Sequence, residues 1–88
     1  MNNQQTTNIV EEMNPVVICN DNGRMFFDHD TKKFSTNLTP TCLLPTDDLA
    51  STLIALNKPF NEEFHNAFVI PALVVVEDGE MQITIIVD

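Results

Sequence analysis

The sequence predicts an α+β fold: an antiparallel sheet of about five strands, in the order βββ-α-ββ, with one main helix laid on one face. Three observations carry that reading. Short runs of β-branched and aromatic residues are broken by two glycine-bearing turns, Asn20-Asp21-Asn22-Gly23 and Glu77-Asp78-Gly79-Glu80. Between those hairpins, Leu49, Leu53 and Leu56 recur at helical spacing behind a capping threonine. The length of 88 residues allows a single core. A chain of that size buries only about 60–65% of its unfolded surface, so every apolar element is needed.

Residues 1–12 (MNNQQTTNIVEE) have few apolar anchors and read as a flexible tail. Residues 13–88 then form one α+β domain. The first strand is Pro15 to Cys19, and Asn22-Gly23 turns it, because both residues tolerate positive φ. Arg24 to Asp28 returns as a second strand. His29 to Lys32 makes another turn, and Phe34 to Leu38 alternates as a third strand, completing a meander. Thr39 to Pro45 is a proline-punctuated connection.

Thr46 then caps a helix with Asp47 and Asp48 in its first turn, where the helix dipole favours a carboxylate by about 0.3–1 kcal/mol. Leu49, Leu53 and Leu56, at i, i+4 and i+7, are expected to form its buried stripe. Asn57-Lys58-Pro59 stops it. Asn61 caps a further short turn carrying Glu62 and Glu63, with Phe64, Ala67 and Phe68 as apolar contacts.

The last element is a hairpin of Ala72 to Val76 and Met81 to Val87. Met81, Ile83, Ile85 and Val87 share one face; Gln82, Thr84 and Ile86 share the other. Pro71 lacks a ladder donor and belongs at a strand entrance or an edge. The final strand is apolar on both faces, which predicts an interior position. At an edge it would pair with a copy of itself or with a partner strand.

Charge narrows the function. Four Lys+Arg face thirteen Asp+Glu, giving −9, with a pI near 4.3. From Phe34 to Asp88 a single cation, Lys58, stands against eight acids, a net −7. Direct nucleic-acid binding draws its affinity from Lys and Arg and is not expected. Docking on an anionic membrane is not expected either. A basic protein surface is favoured. No apolar run approaches the roughly 18–20 residues of a membrane span. The opening residues lack the pattern of a secretory leader, which predicts a cytoplasmic chain with Cys19 and Cys42 as reduced thiols.

Catalytic signatures are missing. Asn20 to Gly23 does not fit a calcium loop, because Ile18 occupies the first ligand position. Asp28-His29-Asp30, His65 and the two cysteines lack the paired close spacing of a zinc site, so a hydrogen-bonded turn is the better reading. Both glycines are spent in turns, leaving none for a phosphate cradle or a nucleophile elbow. No enzyme, cofactor or metal is expected.

What remains is the arrangement of the acids in doublets: Glu11-Glu12, Asp28/Asp30, Asp47-Asp48, Glu62-Glu63 and Glu77-Asp78/Glu80. Any one doublet is ordinary, since acids gather at turns and helix starts. Together, with so few cations to neutralise them, they predict a rigid carboxylate row that imitates phosphates and occupies a nucleic-acid groove on another protein.

Two segments strengthen that direction. Leu44-Pro45 followed by Asp47-Asp48-Leu49 and ending Asn57-Lys58-Pro59, and the hairpin Ala72-Leu73-Val74-Val75 with Gly79-Glu80 and Ile83, resemble the small acidic phage inhibitors of uracil-DNA glycosylase. The resemblance covers about thirty residues. It implies an apolar pocket in which a leucine of the partner would meet Leu49, Leu53 and Leu56. Thr39-Pro40-Thr41 stands where that family carries an acidic strand residue. The expectation is a non-enzymatic, virus-encoded inhibitor binding through Asp47, Asp48, Glu62, Glu63, Glu77, Asp78, Glu80, Leu49, Leu53 and Leu56. The alternatives are an assembly protein that dimerises through its last strand, and an antitoxin or immunity protein.

Overall fold

A computed structural model describes residues 15–86. The tail expected over residues 1–12 and the side chain of Val87 lie outside them. One antiparallel sheet holds β1 (Val16–Asn20), β2 (Met25–Asp28), β3 (Lys33–Ser35), β4 (Phe68–Glu77) and β5 (Glu80–Ile85). The order across the sheet is β3-β2-β1-β4-β5, and the sheet is curled. The single α-helix, α1 (Asp47–Asn57), packs across β1 and β4. Short 3-10 turns at Asp21–Gly23, Pro40–Cys42 and Glu62–Phe64 complete the described elements. The predicted βββ-α-ββ order and fold class are the observed ones.

β1 is buried along its whole length because Val16-Val17-Ile18-Cys19 is apolar at every position rather than at alternate ones. Its side chains therefore feed two cores. Val16 and Ile18 meet Phe27, Phe34, Leu44, Ala50 and Phe64 beneath the helix. The three phenylalanines there pack tilted or edge-on, with centroids 5.0–5.4 Å apart, the arrangement ring quadrupoles favour. Val17 and Cys19 point the other way and meet Phe26, Cys42 and Ala72, with Leu38, Leu43, Ile70, Ile83 and Ile85 around them. The loop between β3 and α1 thus roofs the second face of the sheet.

Two hydrogen bonds hold that loop to β1. Val16 N–H donates to the Leu44 carbonyl and Leu44 N–H donates to the Val16 carbonyl, both at 2.8 Å. Leu44 occupies the flank of Val16 opposite Pro71, beyond the point where β2 pairing ends. The helix N-cap, Thr46, follows two residues later, so this rung sets where α1 begins.

The turns behave as their residues require. Asp21, Asn22 and Gly23 all take positive φ (52°, 60° and 84°), so the first hairpin closes through three left-handed residues. At the second turn, Asp28 Oδ1 accepts from the Asp30 N–H at 2.9 Å. The Thr41 hydroxyl, with that N–H and further turn donors, holds the Asp28 carboxyl below its ordinary value. His29 N–H donates to the Thr41 carbonyl at 3.1 Å. This turn therefore also fastens the roofing loop.

Four expectations need correction. β3 stops at Ser35, not Leu38, because the chain then leaves the sheet to cover the second core. β4 begins at Phe68, four residues before the predicted Ala72, so Phe68 is a strand residue and not a turn contact. Pro71 lies inside β4 and not at its entrance. Its carbonyl accepts from Ile86 N–H at 2.9 Å, so its missing donor faces β5 just where β5 pairing runs out, and β1 loses nothing. Finally, among the described residues β5 is an edge strand. The crossover through α1 returns β4 beside β1, and the tight hairpin leaves β5 only the outer flank.

Two predictions follow from the cores. Phe64, 1% exposed, joins the 3-10 turn to the aromatic triad, and Phe64→Ala should cost about 3–5 kcal/mol in urea unfolding. Burial, reinforced by Cys42, pushes the Cys19 thiol up to about 11 from 9.0. Between those values an unfolded chain releases a proton that the folded one keeps, so stability is full below pH 9 and falls as pH rises toward 11. Melting temperatures of wild type and Cys19→Ala across that window should converge, with the variant showing the flatter profile.

Candidate acidic binding surface

Each candidate carboxylate pair sits on an element end that its neighbours lock. Thr46, in extended conformation, accepts the Leu49 N–H on its Oγ1 at 3.1 Å and so fixes the first turn that carries Asp47 and Asp48. Asn61 Oδ1 accepts the Glu63 N–H at 3.0 Å, and Asn20 Nδ2 donates to the Glu63 carbonyl at 3.0 Å. The turn bearing Glu62 and Glu63 is thereby tied to the end of β1. Asp78 and Gly79 have φ of 54° and 79°, the pair of left-handed residues that a two-residue hairpin needs. They place Glu77 and Glu80 directly across from each other at the tip. All seven carboxylates are exposed.

The seven do not gather in one patch; they are strung along the molecule. Glu63 lies level with Asn20, Asp47 lines a shallow depression with Val16, Pro45, Thr46 and Pro71, and Glu77 lies six residues beyond Pro71. At about 3.3 Å per strand residue the gaps along the sheet axis are about 13 Å and 20 Å. Duplex DNA over that ~33 Å carries roughly 19 phosphate charges. Seven carboxylates therefore fill selected phosphate positions and do not reproduce the duplex.

Arg24, Lys32 and Lys33 lie on the β2–β3 side of the sheet, beside Asp21, Asp28 and Asp30. Asp47 and Asp48 on α1 and Glu77, Asp78 and Glu80 on the β4–β5 hairpin stand away from them, whereas the Glu62–Glu63 turn packs through Phe64 on Phe27 and Phe34 of β2 and β3. The imbalance is therefore one along the chain, with Lys58 the single cation from Phe34 onward.

The leucines are placed differently from expectation. α1 buries Ala50 completely and packs Leu53 and Ile54 against the first core, while Leu49 and Leu56 are 41% and 64% exposed. Ala50, Leu53, Ile54 and Asn57 fit the helical period as well as Leu49, Leu53 and Leu56 do. The Leu44 rung and Thr46 cap fix the rotation, and the small Ala50 side chain lets the helix approach β1 closely. Leu49 and Leu56 thus face solvent, where they form no enclosed leucine pocket with Leu53.

Sequence reasoning missed Phe60. It is 88% exposed in the turn after Pro59, beside the Glu62-Glu63 pair in sequence. Its signal was an aromatic in a proline-stopped turn, where no core element was predicted. His65 Nε2 lies 3.1 Å from the Lys58 carbonyl and braces the same turn. The last strand, expected inside the sheet, lies at its edge.

Among the described residues, no helix is long and apolar enough to cross a membrane. Comparison of the chain with family models, curated proteins and solved structures finds no match.

The rotation of α1 is directly testable by thermal and urea unfolding. Leu56→Ser should change stability by no more than about 0.5 kcal/mol. Ala50→Leu, which adds volume where the helix meets β1, should cost about 1–3 kcal/mol.

Proposed function

We propose that this chain is a non-enzymatic acidic binding protein, of the class of virus-encoded inhibitors, that occupies the basic nucleic-acid-binding groove of another protein. The observation that carries the proposal is a row of seven exposed carboxylates on hydrogen-bonded element ends, in a stretch of chain from Phe34 onward whose single cation is Lys58. Backbone already ordered in the fold needs no ordering when a partner binds, so less entropy is lost than with carboxylates on a mobile tail. The field speeds encounter with a basic surface and rejects acidic ones.

Apolar anchors accompany the acids. Phe60 and Leu56, exposed near the Glu62-Glu63 turn, are of the side-chain type that supplies binding energy once desolvated, with the carboxylates around them supplying orientation. An antitoxin or immunity protein that caps a basic toxin would use the same charge logic; the identity of the captured partner separates the two.

The test is competition and salt. A partner captured by the immobilised chain should release as salt rises from about 50 to about 500 mM and should be displaced by duplex DNA or by RNA. Converting Asp47, Asp48, Glu62, Glu63, Glu77, Asp78 and Glu80 to their amides should weaken it by about 100-fold or more. A partner held equally tightly by that variant would reduce the acidity to a solubility device.

A further inference from the structure

The base of the β4–β5 hairpin packs on the second core through Ala72, Ile83 and Ile85, while its tip runs on beyond that core and its outer strand leaves an unusual edge. Pairing of Glu77 with Glu80 across the two-residue turn, and the Ile86-to-Pro71 hydrogen bond, set which residues of β5 face β4. Glu80, Gln82, Thr84 and Ile86 turn their backbone groups inward to that ladder. Met81, Ile83 and Ile85 turn theirs outward, where the sheet ends. Natural edge strands are guarded by lysine, proline, a bulge or an inward-pointing charge. Among the described residues none stands in the outward row, which is Met81, Ile83 and Ile85. Val76 and Met81, paired across the hairpin, are 57% and 48% exposed beside it.

We infer that β5 pairs antiparallel with β5 of a second copy, about a two-fold axis through Ile83, joining two sheets into one. The pattern of the strand is self-complementary about that residue. Met81 falls opposite Ile85 of the other copy and Ile83 opposite Ile83, apolar against apolar. On the other face Gln82 falls opposite Thr84, polar against polar. Three outward pairs exchange two bonds each, about six backbone hydrogen bonds in all.

Charge decides the direction. Each copy carries −9, and a parallel arrangement would set Glu80 beside Glu80 and the tips together. The antiparallel one places Glu80 opposite Ile86 and sends the two acidic tips to opposite ends. An isologous contact of this kind closes at two copies and does not propagate through β5. One strand pair with its flanking side chains lies below the roughly 1,600 Å² of a standard interface, the size of weak, transient contacts, so the dimer should dissociate on dilution.

The test uses the full chain alone. Sedimentation should give a mass twice the 9.9 kDa of one chain at hundreds of micromolar and a monomer on dilution. Dimerisation should strengthen with salt as repulsion between the copies is screened. Binding of a basic partner weakens with salt, so the two readings fail separately. Ile83→Pro removes an outward donor and leaves the β4 ladder intact; it should abolish the dimer with its circular dichroism unchanged. Should that variant unfold, amide exchange of the wild type decides: Met81, Ile83 and Ile85 N–H groups should slow by about 100-fold or more with concentration. A monomer at every concentration, a dimer that survives Ile83→Pro, or rapid exchange at those three amides throughout would overturn the pairing, including the case in which β5 receives a strand from a different protein.

Discussion

The complete burial of β1 is the constraint on which the rest of the molecule depends. A strand with no exposed face needs a layer on each side, and the chain supplies them from different sources: α1 and the Glu62–Phe64 turn on one side, the loop before the helix on the other. The backbone of β1 is also in demand on both flanks. β2 and Leu44 share one, and β4 takes the other. With five residues serving both layers and both flanks, the position of every other element is a consequence of how it reaches Val16–Asn20.

That economy explains where the acids end up. The helix starts where the Leu44 rung releases the chain, so Asp47 and Asp48 lie beside the start of β1. The return to β4 starts where Asn20 holds the Glu63 carbonyl, so the second pair lies at the other end. β4 runs on past its contact with β1 by six residues and carries the third group out to the hairpin tip. The spacing of charge is thus set by the lengths of two strands, and backbone and cap hydrogen bonds fix the bearing elements. A lock of that kind removes the backbone freedom of the bearing residues and leaves their exposed side chains their rotamers.

Much of the fold is legible from local chemistry. The Asn22-Gly23 and Asp78-Gly79 turns, the Thr46 and Asn61 caps and the proline stop at Pro59 are each specified within a few residues, because they depend on φ preference, a hydroxyl or amide acceptor, or a missing N–H. The same holds for the doublets as chemical groups. Their arrangement along a line is not legible, since it depends on how far β4 outruns β1. The rotation of α1 is not legible either: with apolar residues at 49, 50, 53, 54, 55 and 56, two stripes satisfy the same period.

By itself, then, the sequence determined the class of fold, the order of its elements, the caps and turns between them, and a surplus of negative charge concentrated in the chain after Phe34. Only the tertiary structure decided that Ala50 and not Leu49 faces β1, that Pro71 sits inside a strand, and that the last strand borders solvent. The physical reason is range. Turn and cap energies are spent among neighbours a few residues apart, whereas burial and edge position follow from which distant strand occupies each flank of β1.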